Sequence, residues 1–209
     1  MTEPRPPRPD YRHDRGASDR KDTASNRVIS VAEIKARWAY SEIISSRLGL
    51  TYRNHVSADI FKLAVRRKPF DAVPQALWPG LISALLTVRP PQFVSLVDQY
   101  GTGAFARAEW SPSTLLSCQT LPQYQMVPFF SFLAHPVARD SKGNLAGGDP
   151  RYEANRTRPG CDVGQAELAI AGMANGRPIL LDGYLRAILW LRQPVASFPV
   201  WVPVPDPSR

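Results

Sequence analysis

The chain has 209 residues, 44% of them apolar, and a formal net charge of +8. That length and apolar share suit one domain with an extension or two small domains, and they allow a real core. No run of 18 apolar residues occurs, which leaves no candidate membrane helix, and the basic surplus points to a polyanion such as DNA as partner.

Residues 1–27 hold seven basic and five acidic residues, four prolines and almost no large apolar side chains, so they read as a disordered tail. The first residues carry no apolar signal core, and a cytoplasmic location is expected. Order begins near Arg27. Ser30 and Glu33 have capping-box spacing, and Ile34, Trp38, Ile43 and Ile44 fall on one face of a following helix that ends near Leu48 and Gly49. Further helices are expected over 57–67, 75–88 and 92–100. The cluster Arg66, Arg67 and Lys68 suits the negative end of a helix dipole as well as it suits DNA. Gly101 to Ala106 matches a loose G-x-G-x-x-A pattern but follows no clear strand, so it reads as a helix stop; no G-x-x-x-x-G-K-[ST] occurs, which excludes a P-loop NTPase.

The aromatic run 127–134 suits a buried strand. Residues 135–158 form a long loop, with Arg139, Lys142, Arg151, Arg156 and Arg158 as candidate DNA contacts; an insertion without that role is the other reading. Residues 165–176 read as a helix closed by Asn175 and Gly176, with Glu167 on it, in the plainer reading as a solvated side chain. An apolar strand over 179–181 then meets Asp182 and Gly183, a second helix carries Tyr184 and Arg186, and 198–204 is a final extended segment. Gly183 allows a tight turn, and the helix start with Arg186 in its first turn suits a phosphate. Arg186 can instead pair with Asp182, and Asp182 can cap the helix or hold a metal through water. Tyr184 can stack on a base or cover the helix end. Cys118 and Cys161 make neither a disulfide framework nor a zinc site and read as reduced thiols without a chemical role.

Strand, D-G-x-x-R turn, helix and strand over 165–204 resemble the ParB/sulfiredoxin superfamily, with a looser likeness from 127. The resemblance implies an α/β (α+β) chain: a tail (1–27), a helical part (28–110) and a ParB/sulfiredoxin-like core (111–209). It departs from sulfiredoxins at Tyr184, which stands where their nucleophilic Cys lies, so sulfinic-acid repair is not expected. Size and layout resemble the small plasmid-encoded fertility-inhibition proteins of the oncogenic-suppression type. That implies a block on conjugative or T-DNA transfer through nucleotide hydrolysis and DNA cleavage. The implied cofactors are ATP and a divalent metal such as Mg. The implied catalytic residues are Glu167, as base or metal ligand, and Arg186; Asp182, Gly183, Tyr184 and Arg186 would hold the nucleotide. DNA and the conjugative coupling or secretion machinery are the implied partners. The alternative is a ParB-like regulator that binds nucleotide and DNA without cutting; a small-molecule kinase is a third reading.

Overall fold

The computed structural model describes residues 27–45, 48–134, 138–139, 145–146, 167–191 and 196–205. The tail 1–26, loop residues Lys142, Arg151, Arg156 and Arg158, and Cys161 lie outside them; Arg139 falls in a short strand whose side chains are not described.

The architecture is mixed α/β. After β1 (Val28–Ser30) come α1 (Val31–Ile43), α2 (Gly49–Arg53), α3 (Ala58–Val65), α4 (Trp78–Val88) and α5 (Pro91–Tyr100). Then follow β2 (Ala104–Trp110), α6 (Pro112–Ser117), α7 (Phe129–Ala134), β3 (Ala138–Arg139), β4 (Leu145–Ala146), β5 (Ala169–Ala174), β6 (Arg177–Asp182), α8 (Tyr184–Trp190) and β7 (Phe198–Pro203). Five strands form one sheet in the order β1-β2-β7-β5-β6, antiparallel except where β7 runs parallel to β5. β3 and β4 pair separately. The segment 28–110 is therefore not helical alone: it supplies two of the five strands. Among the described residues, no helix is long and apolar enough to cross a membrane.

Both faces of the sheet are covered along β6 and β7. Along β6, Ile179 and Leu181 join the cluster formed by α1, α4 and α5, while Leu180 between them joins the cluster formed by α6, α7 and α8. β7 divides in the same way, with Trp201 on the first side and Phe198 and Val200 on the second. Two-sided burial explains an unbroken apolar run in place of alternation. Each large aliphatic side chain withdrawn this way contributes about 1.5–3 kcal/mol. β7 is internal yet holds Pro199 and Pro203. Its pairing with β5 covers only Val200 and Trp201, so neither proline interrupts that ladder.

Local chemistry sets the element ends. Ser30 caps α1, its Oγ accepting from the Glu33 amide at 3.2 Å. Only half of the expected box forms, because the Glu33 carboxylate turns to Arg27 and Arg37. α1 stops at Ile43, and Gly49 opens α2 rather than closing α1. Helices at 58–65, 78–88 and 91–100 answer the expected ones, with Gly101 closing the last.

Two expectations fail. The segment read as a helix over 165–176 is strand β5, and Asn175 and Gly176 are a hairpin turn into β6, not a helix stop. Both have positive φ, 51° and 73°, the signature of a type I′ turn. The glycine inside the strand is there for clearance. A Cβ on Gly172 would lie 2.5 Å from the Tyr100 Cβ at the end of α5. The second failure is 127–134, where α7 replaces the expected strand. Phe129 and Phe132, three apart, are buried while Phe130 is exposed; that is a helical spacing in a run too short to show its period.

Candidate functional site

The turn between β6 and α8 forms as expected. Gly183 takes φ 97°, and a Cβ there would lie 2.6 Å from the Ala169 Cβ, so left-handed backbone and close approach to β5 both call for glycine. The Arg186 guanidinium turns back over the turn. It donates to the Asp182 carboxylate at 2.5 Å, to the Leu168 carbonyl at 3.1 Å and to the Glu167 carbonyl. Asp182 is thus the partner of Arg186 rather than a helix cap, and Arg186 ties the start of β5 to the end of β6.

Glu167 lies just before β5, not on a helix. Its carboxylate accepts from Arg37 at 3.2 and 3.3 Å and from the Trp201 indole at 3.2 Å. Arg37 is the hub. From α1 it reaches Glu33 at 2.9 Å and Asp71 at 2.5 Å, and its guanidinium lies 4.4 Å from the Phe70 ring centroid and 5.3 Å from that of Trp201. Arg27 adds bonds to Glu33 and Asp71. Burial works against the Arg37 charge, but Glu167, Glu33 and Asp71 outweigh it and raise its pKa. Burial likewise opposes the charge on Asp71, and Arg37 and Arg27 overcome it to hold this carboxyl below its usual range.

A second arginine approaches the turn. Arg89, following α4, pairs with Glu42 of α1. Burial disfavours its charge, yet Glu42 and, through space, Asp182 raise its pKa. Tyr52 of α2 is fully buried beside them, and burial raises its pKa, with Glu42 adding to the rise.

Tyr184 points into the fold. Its hydroxyl donates to the Leu180 carbonyl at 3.0 Å and accepts from the Leu121 amide at 2.8 Å. Its ring lies 5.4–5.7 Å from those of Tyr124, Phe129 and Phe132, so it belongs to an aromatic cluster of the fold. Cys118 is buried, which pushes its thiol up to about 12 and leaves no thiolate at neutral pH.

The arrangement thus brings Asp182, Gly183, Arg186 and the main chain of Glu167 together, and sends the Glu167 carboxylate elsewhere. Sequence reasoning missed Arg37, Asp71, Trp201, Arg89 and Glu42. One signal was available: Glu33 and Arg37 stand four apart on a helix whose neighbouring positions are apolar. The distant partners leave no local trace. Among the described residues, no three His, Cys, Asp or Glu side chains gather as metal ligands; Asp182 and Glu167 each face an arginine. No protein-family model, curated protein or solved structure matches the chain.

Proposed function

We propose that the protein is a non-catalytic regulator of the ParB/sulfiredoxin type that binds nucleotide and DNA and so restrains plasmid transfer. The order hairpin, Asp182-Gly183 turn, α8 and β7 supports the assignment to that type. The observation that carries the choice of binding over hydrolysis is the engagement of both candidate catalytic side chains. The Glu167 carboxylate holds Arg37 and Trp201, and the Arg186 guanidinium holds Asp182 and two carbonyls. An anion can enter by replacing Asp182 on Arg186, a one-for-one exchange of charged acceptors. A general base needs a carboxylate within reach of the proton it removes, and Glu167 is committed to an internal ion pair. The fertility-inhibition likeness supplies the biological direction and keeps ATP hydrolysis with DNA cleavage as the competing reading.

Calorimetry with ATP, and phosphate release with and without single-stranded DNA, tests the choice. We expect binding without turnover, and a loss of affinity of at least about tenfold in Arg186→Ala, the effect of removing one charge-assisted contact. Expression in a donor cell should lower export of a mobilisable plasmid. DNA-stimulated turnover that disappears in a folded Glu167→Gln variant would restore the catalytic reading. A parent protein that binds no nucleotide would remove both.

A further inference from the structure

Between residues 28 and 100, every described carboxylate has a cationic partner. Glu33 and Asp71 have Arg37 and Arg27, Glu42 has Arg89, Asp98 has Lys35, and Asp59 has Lys62. Among the described residues of that span, the cations left without an acidic partner are Arg53, Arg66, Arg67 and Lys68. All four are exposed, and all lie on the α2–α3 unit and the residues that follow it. The positive surplus of this region therefore falls on one stretch of chain, residues 53–68.

The triplet is also held in position. The Lys68 amide donates to the Leu63 carbonyl at 3.0 Å and the Arg67 amide to Ala64 at 2.9 Å, the paired bonds of a Schellman helix end. The Tyr40 hydroxyl, from α1, donates to the Lys68 carbonyl at 2.8 Å. Arg67 occupies the position that glycine usually fills and takes φ 53°. A long β-carbon-bearing cation thus sits where the backbone favours none. Arg53 is braced against α3, its guanidinium 5.3 Å from the Phe61 ring centroid.

We propose that Arg53, Arg66, Arg67 and Lys68 form a binding surface for the phosphate backbone of nucleic acid. The surface is distinct from the 182–186 turn and rests on the DNA-binding part of the reading above. Unpaired exposed cations on a main chain fixed by hydrogen bonds suit a row of phosphates. α3 turns Ile60 and Ala64 inward and spans only eight residues, and the exposed apolar side chains of the unit, Leu50 of α2 and Val65 of α3, stand on separate short helices and make no continuous apolar face of the kind that lies in a lipid layer.

The test is fluorescence anisotropy of the full chain with labelled single- and double-stranded oligonucleotides of mixed sequence, across a salt series and without nucleotide. We expect the triple variant Arg66→Ser, Arg67→Gly, Lys68→Ser to lose at least about tenfold in affinity at low salt. Its salt slope on duplex should fall by about 2–3, near 0.9 per lost phosphate contact. Arg177→Ser, an exposed cation on β6, should change little. Arg67→Gly alone separates structure from function: glycine suits the positive φ, so the melting temperature should hold or rise while affinity falls. A parent that binds with unchanged affinity and slope in these variants overturns this surface and leaves the DNA-binding reading standing. A parent that binds neither oligonucleotide overturns both, and binding to anionic vesicles in their place assigns the surface to a membrane.

Discussion

Arg37 shows how one side chain joins distant parts of the chain. It is about as buried as a core leucine, with side-chain exposures of 6% for itself, 7% for Glu33 and 12% for Glu167. A buried ion pair repays its desolvation only when the partners are well placed, and removing one member leaves the others charged and unpaired. Arg37→Ala should therefore lower stability by about 3–5 kcal/mol, read from the denaturant midpoint at unchanged slope. Arg37→Met combined with Glu33→Gln and Glu167→Gln should regain much of that loss. A single variant as stable as the parent would mean that water already satisfies these carboxylates. At this scale the sequence revealed little, because Glu167 stands 130 residues from Arg37. The Asp182–Arg186 pair was legible, since its partners lie only four residues apart across the turn.

At the scale of elements, helices α1, α3, α4 and α5 were legible from caps, prolines and period, and so was the passage from β6 through Gly183 into α8. β5 was not, because Ala169 and Gly172 answer a steric demand that local propensity cannot report. Gly183 belongs to the same demand, seated against Ala169. Gly183→Ala should cost at least about 2 kcal/mol, from left-handed backbone and the clash together. Adding Ala169→Gly should relieve the clash and leave the backbone part, so the double variant should fall between. A single variant of parental stability would mean that α8 can shift away from β5 at no cost, and the turn would then be no rigid support for a ligand. The Asn-Gly turn was the missed signal: between two apolar runs it marks a hairpin more strongly than a helix end.

For the whole molecule, a helical part followed by an α/β core described the order of elements but not their dependence on one another. The sheet takes β1 and β2 from one side of residue 110 and β5, β6 and β7 from the other. A fragment of residues 111–209 would lack β2 and would bare Ile170, Ile179, Leu181 and Trp201, which α1, α4 and α5 cover. It should give no sigmoidal thermal transition, whereas the full chain should unfold in one step; a sharp transition from the fragment would show that its core stands alone. The strand order also sets a timetable. β7 follows every other strand of the sheet in the chain yet lies inside the sheet, between β2 and β5. During synthesis, Phe105 can pair with Ile29 of β1 on one side, but its partner on the other side, Pro203, is among the last residues to leave the ribosome. The earlier strands must therefore wait with an open edge and an uncovered apolar face, the condition in which nascent chains aggregate or recruit chaperones.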